Sequence, residues 1–208
     1  MKHRVIITIN REYGSNGRVI GIETGKRLGI PVHGDDIVGL ASEYSGIDEN
    51  HFQRVDEKPT DSLLFMIANN TFSMLPSVGS FQKSLSSDRL FNVQSDVIKN
   101  FADQGSCIII GRCGNYILRD DPDMISVFIT ADMDYKTETV MKRENVKKAE
   151  AEKRIKAMER RRTNYYGYYS GRDWRACSSY DLVINSGKLG EEKTADLICD
   201  YARIKLSE

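Results

Sequence analysis

The sequence predicts an α/β fold with a mainly parallel sheet, and three observations support this fold class. Short apolar segments rich in β-branched residues alternate with longer segments of helical periodicity, as strands and crossover helices do. The apolar segments are continuous, which is typical of parallel strands buried on both faces. The first of them leads through a Gly-rich turn into a helix. With 208 residues, the chain is long enough for one substantial domain, which we predict to span residues 1–208.

Five segments are predicted as strands: residues 4–9, 31–33, 107–111, 124–130 and 180–186. The first, third and fourth contain VIITI, CIIIG and MISVFIT, which are apolar and β-branched enough to be interior strands. The second, Pro31-Val32-His33, is short. Their separation by helical segments indicates crossover connections and therefore parallel pairing.

Helices are predicted between and after these strands: residues 17–28, 36–45, a short one beginning near Asp48, 86–105 and 190–205. Gly29 ends the first of them, with Pro31 just beyond. In the segment 86–105 the apolar residues recur on one side of a helix: Leu90, Val93, Val97, Ile98 and Phe101. Residues 60–82 lose periodicity after Asn70, and we expect a helix followed by a loop there.

The turn after the first strand has the surroundings of a phosphate-binding loop. Strand, Gly-rich turn and helix together point backbone amides at an anion. In the pattern G-x-x-x-x-G-K-[S/T], Gly17 takes the second Gly and Glu12 falls on the first. Arg18 falls on the Lys, and Val19 on the Ser/Thr that would hold Mg²⁺. The pattern leaves two interpretations open, an altered phosphate loop or a Gly-rich turn in some other α/β protein.

Charged residues follow several predicted strands. In a parallel sheet, ligands bind beyond the carboxyl ends of the strands, where Arg11, Asp35, Asp36 and Arg112 are expected to lie. An arginine directly after a buried strand is costly to leave without an anion. The anion could be a ligand phosphate, or an acid such as Asp36 in a structural salt bridge.

The segment 142–162 is strongly basic. It contains ten Lys or Arg against four Glu, an excess of six positive charges in a chain whose formal net charge is zero. A solvated basic helix explains most of them. Arg154, Arg161 and Arg162 could instead line one flank of a cleft and bind phosphate oxygens through their planar guanidinium groups.

Composition excludes several other classes. Zero net charge argues against bulk binding to nucleic acid or to a membrane surface. The four cysteines form no CxxC pair, so neither a zinc ribbon nor a disulfide framework is indicated. With no signal peptide and no apolar run of membrane-spanning length, we expect a cytoplasmic protein. The apolar segment 63–78 is either a surface through which two chains form a homodimer or a cover over the core.

Several segments, taken in order, resemble those of the cytidylate kinase-like family, bacterial relatives of the nucleoside monophosphate kinases. They read ITINREYGSNGR, LGIPVHGDDIV, RVDEKP, IIIGRCGNYILR, VFITADMDYKTETVMKREN, RIKAMERRRTNYYGYYSGRDW and YDLVINSGKLG, and together they extend over residues 4–204. The altered loop E-Y-G-S-x-G-R, here residues 12–18, is a trait of that family. The third-strand motif G-R-D of true cytidylate kinases reads G-R-C here, with Cys113 in place of Asp.

The resemblance implies a five-stranded parallel sheet flanked by helices, in a nucleoside monophosphate kinase-like P-loop fold. A helical acceptor-binding insert would occupy about residues 36–104, and an Arg-rich lid about residues 142–175. ATP and Mg²⁺ are the implied cofactors. The first loop would hold the nucleotide phosphates: Tyr13, Gly14, Ser15, Asn16, Gly17, Arg18 and Val19.

We expect the acceptor to contact four charged residues: Asp35, Asp36, Arg54 and Arg112. Asp36, or Asp35, would position Mg²⁺ through water or orient the acceptor. The transferring phosphoryl group would be surrounded by arginines: Arg18, Arg154, Arg161 and Arg162.

The leading hypothesis is therefore a transferase, a kinase that moves a phosphoryl group from ATP to a small acceptor such as CMP or dCMP. The alternative is a nucleotide- or phosphometabolite-binding module of the same fold without useful turnover, which Glu12 and Val19 favour. RNA binding is disfavoured, because the basic residues amount to one helix and no compact aromatic platform accompanies them.

Overall fold

A computed structural model describes residues 4–45 and 78–207, with the backbone alone for 42–45 and 78–87. Its centre is a five-stranded sheet of order β2-β3-β1-β4-β5 in which every pairing is parallel. This confirms the predicted fold class. The strands are β1 Ile6–Arg11, β2 Val32–His33, β3 Cys107–Ile110, β4 Met124–Thr130 and β5 Leu182–Asn185.

Helices connect these strands and also follow the last of them. They are α1 Gly17–Leu28, α2 Asp36–Ser45, α3 Val78–Gln104, α4 Gly114–Ile117, α5 Met133–Glu144, α6 Lys148–Ser170, α7 Ser186–Leu189 and α8 Glu191–Leu206. A 3-10 turn, Cys177–Ser179, lies ahead of β5. Within the described part of the chain, no helix has both the length and the apolar composition needed to cross a bilayer.

The sheet is covered on both faces, and each face has its own core. On one face Ile7 and Ile9 of β1 pack with Ile20 of α1 and Ile198 of α8. On the other face the cluster contains Ile6 together with residues of α2 and α3. The β1 isoleucines are fully buried, as expected for the central strand of a parallel sheet. Because helices cover both faces of the sheet, a ligand-binding site is expected at the carboxyl edge of the strands.

Most predicted elements are observed, but one segment differs. The helix expected near Asp48 and residues 60–77 lie outside the described residues, as does nearly all of the segment 63–78. Residues 78–82, which we expected in a loop, begin the 27-residue helix α3. That prediction is wrong because Gly79 and Ser80 cost at most about 1 kcal/mol each in a helix, and a helix nucleated by its neighbours can extend through them at that cost.

We predict that Gly25→Ala destabilises the fold by about 1–3 kcal/mol. A Cβ at Gly25 of α1 would lie 2.2 Å from Val32 Cγ2 on β2 and 3.0 Å from the Ile30 carbonyl oxygen. The backbone and the side chain must both shift to admit it. Urea denaturation monitored by circular dichroism measures the loss.

The matched control is Gly39→Ala in α2, where an added Cβ meets no described atom within 4 Å. That variant should be neutral or slightly stabilised, because Ala is the better helix former. Equal denaturation midpoints for the two variants would contradict the close packing of α1 on β2.

Candidate functional site

The turn between β1 and α1 has the backbone of an anion-binding loop. Asn16 adopts the left-handed conformation with φ 56°. The first hydrogen bond of the α1 ladder runs from the Ile20 amide to the Asn16 carbonyl at 3.0 Å. The amides of Gly17, Arg18 and Val19 therefore lie ahead of the ladder, at the positive end of the helix dipole.

The two loop glycines allow other parts of the chain to approach closely. Gly14 has φ 87°, and a Cβ there would lie 2.7 Å from the carbonyl oxygen of Lys136 in α5. A Cβ at Gly17 would lie 2.4 Å from Cβ of Arg11. Ser15 is fully buried. The loop is thus held between α5 and the last residue of β1.

A cavity of about 220 Å³ opens between this loop and the ends of β2 and β3. Five charged residues line it: Arg11, Arg18, Asp35, Asp36 and Arg112. Four of them were predicted as site residues from the sequence, and the fold brings these four together. Arg11 was noted only as the residue after the first predicted strand, without a role.

The two aspartates of the cavity already have partners. Asp35 forms an exposed ion pair with Arg18 at 2.7 Å. Both oxygens of Asp36 accept hydrogen bonds, one from the His33 ring at 2.7 Å and one from the Gly34 amide at 2.6 Å. Burial raises the pKa of Asp36, but these two hydrogen bonds outweigh burial and lower the pKa below its usual value.

This donor set does not fit a magnesium ion held by the protein. Asp36 has both oxygens engaged, Asp35 is paired with Arg18, and Val19 offers no hydroxyl at the position that would hold the metal. Across residues 4–45 and 78–207, no cluster of three or more His, Cys, Asp or Glu is placed to bind a metal.

Arg112 lies in a strained turn at the end of β3. Arg112 and Cys113 both have φ 55°, in the left-handed region, which costs roughly 1–2 kcal/mol for each residue. The turn directs Cys113 into an aromatic cluster with Phe128 and Trp174. Arg112 remains half-buried at the cavity, and burial lowers the pKa of its guanidinium.

A narrower cleft adjoins the cavity and shares Arg11 and Arg112 with it. Its far wall comes from α6, which contributes Arg162 and Tyr165. Arg162 Nη1 donates to the Arg11 carbonyl oxygen at 2.7 Å. Of the three arginines predicted in the basic segment, Arg162 is therefore the one beside the cleft.

The other predicted arginines lie elsewhere. Arg154 pairs with Glu144 at 2.9 Å and with Glu150 at 2.8 Å. Arg161 is exposed on α6, and Arg54 lies outside the described residues. Tyr13 of the loop donates a hydrogen bond to Glu144, so Arg154 belongs to a cluster on the outer side of the loop.

A buried charge network underlies the loop, and sequence reasoning missed it. Lys136 Nζ lies 2.9 Å from Glu12 Oε2 and 2.8 Å from Glu159 Oε1. Arg175 closes the network, with Nε 3.0 Å from Glu12 Oε1 and Nη2 2.8 Å from Glu159 Oε2. Glu12, Lys136 and Glu159 are all less than 10 % exposed.

The network also explains the glutamate in the loop. Burial alone would raise the pKa of Glu12, but hydrogen bonds from Lys136 and Thr130 outweigh it and lower the pKa. Glu12 is thus a charged partner of α5 and of the chain around α6. Its position in place of a glycine was the only signal in the sequence, since Lys136 and Arg175 are distant along the chain.

This fold, a parallel five-stranded sheet covered by helices on both faces, recurs in solved structures of low sequence identity. Shikimate kinase from Bacteroides thetaiotaomicron superposes with a TM-score of 0.53 at 10% identity, over 96% of this chain and 98% of that one. The chain belongs to the Cytidylate kinase-like family, whose sequence profile matches residues 6–188.

Relatives with higher sequence identity agree with this membership. A cytidylate kinase from Methanopyrus kandleri is 27% identical over 105 residues, covering 47% of this chain and 54% of that protein. The cytidylate kinase from Sulfurisphaera tokodaii is 24% identical over 116 residues, covering 56% and 64%. An uncharacterized protein from Eubacterium ventriosum has a crystal structure with a TM-score of 0.69 at 27% identity, over 96% of this chain and 99% of that one.

We predict that Lys136→Met lowers the free energy of unfolding by about 3–5 kcal/mol, because it leaves two buried carboxylates with Arg175 alone. Thermal and urea denaturation measure the loss. Lys142→Met is the matched control, since Lys142 is exposed on the same helix. Similar stabilities for the two variants would show that the network contributes little.

Acid should weaken the fold through Glu144. Burial raises the pKa of this carboxyl, but hydrogen bonds from Tyr13, Arg143 and Arg154 outweigh burial and lower it from 4.5 to about 2. A lowered carboxyl pKa contributes stability that is complete above the unfolded-state pKa and is lost as the pH falls through the folded-state pKa.

The stability difference between wild type and Glu144→Gln should therefore be largest at neutral pH and shrink between pH 4.5 and about 2. Urea midpoints of both proteins across that range test this. A difference that does not change with pH would contradict the assignment of the charge effect to Glu144.

Proposed function

We propose that the protein transfers a phosphoryl group from ATP to a small phosphorylated acceptor, a nucleoside monophosphate such as CMP or dCMP. The observation that carries the proposal is the convergence of Arg11, Arg18 and Arg112 on one cavity, with Arg162 beside it. These arginines come from four separate elements, and they meet at the carboxyl edge of the sheet, where ligands of α/β folds bind.

The chemistry of that cavity suits two phosphate-bearing ligands. Three guanidinium groups face two carboxylates, and Asp35 and Asp36 are already hydrogen-bonded or ion-paired. Transfer between two polyanions requires positioning and charge neutralisation more than covalent help from the protein. Arginine suits this role because its planar fork binds two phosphate oxygens at once.

We assign the donor phosphates to the loop residues Tyr13, Gly14, Ser15, Asn16, Gly17, Arg18 and Val19. Arg112 would hold the acceptor phosphate, and Asp35 or Asp36 would orient the acceptor. Arg162 would approach the transferring group from α6. We also propose the acceptor-binding insert at about 36–104, which would include Arg54, and the lid at about 142–175.

Arg154 and Arg161 could join the site only through a movement of α6. In the structure Arg154 is bound to Glu144 and Glu150. We assign no metal ligand to the chain, because its described donor set does not fit Mg²⁺. Mg²⁺ would enter bound to the nucleotide phosphates, which are its usual ligands in such sites.

A second candidate function is a nucleotide-binding module without useful turnover. Two observations favour it. Glu12 stands where a phosphate loop has glycine, and it keeps Lys136 paired beneath the loop. Val19, half exposed at 50%, cannot hold a metal at the start of α1.

An assay with Mg-ATP and each nucleoside monophosphate separates the two candidates. ADP formation above the control without acceptor supports the kinase. An increase in Tm with ATP but no ADP formation supports the binding module, because a ligand of the folded state stabilises it by mass action. If ATP produces neither ADP formation nor an increase in Tm, both candidate functions are contradicted.

Arg112→Ala should lower kcat/KM for the acceptor roughly thirty-fold to a thousand-fold, since it removes a charge-assisted bidentate contact. ATP binding should be nearly unchanged. Steady-state kinetics and an ATP titration measure the two effects. The control is Arg119→Ala, an exposed arginine whose guanidinium lies 4.5 Å above the Tyr116 ring.

The same variant distinguishes a substrate contact from a structural one. If Arg112 only stabilised the fold, its removal would lower the Tm by a large amount and reduce ATP binding and acceptor use together. That result would show that Arg112 stabilises the fold and does not contact the acceptor.

A further inference from the structure

We infer that Arg11 takes the part that the loop lysine has in the standard phosphate-loop pattern, and that it contacts the phosphoryl group during transfer. This inference rests on the proposed phosphoryl transfer and names one further catalytic residue for it. Arg18, which occupies the lysine position in the sequence, then has a lesser role.

Arg11 is placed where donor and acceptor would meet. It is the last residue of the central strand β1 and directly precedes the loop. Its side chain lines both the 220 Å³ cavity beside the loop and the cleft beside α6. Only Arg112 shares that position among the described residues, and Arg112 belongs to the end of β3.

Two glycines from different elements create the path of the Arg11 side chain. Its Cβ and Cγ lie 2.4 Å and 3.0 Å from where a Cβ on Gly17 would be. Its Nη1 lies 2.1 Å from where a Cβ on Gly111 would be. Any larger residue at either position would overlap the side chain, so the guanidinium is held between the loop and the end of β3.

The backbone of Arg11 is also held in place. Its carbonyl oxygen accepts a hydrogen bond of 2.7 Å from Arg162 of α6. Its amide lies within the β1–β4 ladder, opposite Ile129. A cation anchored in this way loses little entropy when it binds a phosphate, and it needs little reorganisation during the reaction.

Arg18 is much less constrained. Its side chain is 61% exposed and is paired with Asp35, which is itself 70% exposed. Solvent screens an exposed charge, so its contribution to a developing phosphoryl charge is small. Arg11 is half-buried, where the same charge acts through a lower effective dielectric constant.

In the step itself, an oxygen of the acceptor phosphate forms a bond to the γ-phosphorus of ATP. The bond between that phosphorus and the β,γ-bridging oxygen breaks, and the bridging oxygen leaves on ADP with the electron pair. Arg11 remains protonated throughout. It binds the equatorial oxygens of the transferring group, where charge accumulates in the transition state.

The first test compares Arg11→Met, Arg11→Lys and Arg18→Met in the full chain with Mg-ATP and CMP, or whichever monophosphate the wild type uses. Arg11→Met should lower kcat by about a hundred-fold, the usual loss for one preorganised donor. Arg11→Lys should recover part of it, and Arg18→Met should lose less than about ten-fold. Arg203→Met, on the exposed side of α8, is the control for unchanged activity.

The second test moves the guanidinium without removing any charge. Gly111→Ala places a Cβ against Nη1 of Arg11 and should reduce kcat nearly as much as Arg11→Met. Gly29→Ala is its matched control, because Gly29 has a similar φ of 67° against 76° but no described atom within 4 Å of an added Cβ. In the double variant with Arg11→Met, Gly111→Ala should have little additional effect.

The outcomes separate this inference from the proposed function. An active wild type whose kcat is unchanged by Arg11→Met, with its Tm retained, overturns the role of Arg11 alone. If the wild type forms no ADP but gains Tm with ATP, the kinase proposal fails, and loss of that gain in Arg11→Met still supports phosphate binding by Arg11. For a wild type that forms no ADP, retention of the gain in Arg11→Met overturns the inference, and so does a wild type whose Tm does not respond to ATP.

Discussion

The buried network of Glu12, Lys136, Glu159 and Arg175 is the interaction on which the arrangement of the site depends. It joins the end of β1 to α5, to α6 and to the segment after α6. Two carboxylates balance two cations, of which Lys136 lies in the interior and Arg175 has a side chain that is 45% exposed. Each of the three buried ions, Glu12, Lys136 and Glu159, would be costly to bury by itself, and only the complete set satisfies all of them.

The network determines which residues of the loop are buried and which can contact a ligand. With Glu12 turned inward to Lys136 and Thr130 and Ser15 fully buried, Arg18 and Val19 are the exposed residues of the segment 12–19, and Arg18 lines the cavity. Gly14 allows α5 to approach, which places Lys136 beneath the loop and not above it. The positive charge above the loop therefore has to come from arginines of other elements.

The parallel arrangement of the strands brings these arginines to one edge of the sheet. β1 and β3 are neighbours, so Arg11 and Arg112 leave the sheet at the same edge. Arg162 reaches that edge from α6 through its hydrogen bond to the Arg11 carbonyl oxygen. Left-handed backbone at Arg112 and Cys113 is the cost of turning one side chain to the cavity and the next into the aromatic cluster.

The sequence by itself determined the class of fold, the positions of the strands and most helices, and the loop at the end of β1. It did so because β-branched runs, helical periodicity and glycine turns are local properties of the chain. The sequence also predicted that four charged residues lie at one edge of the sheet, because the carboxyl ends of parallel strands meet there: Arg18, Asp35, Asp36 and Arg112. It placed Tyr13 in the loop but could not foresee its bond to Glu144.

Only the tertiary structure decided which charges pair with one another. Lys136 and Glu12 are separated by 124 positions, and no local pattern marks either as a partner of the other. Arg154 and Arg162 belong to the same basic helix, yet one pairs with glutamates on the outer side and the other lines the cleft. The difference comes from the direction each side chain takes when α6 packs on the loop, and that direction depends on contacts between elements far apart in the chain.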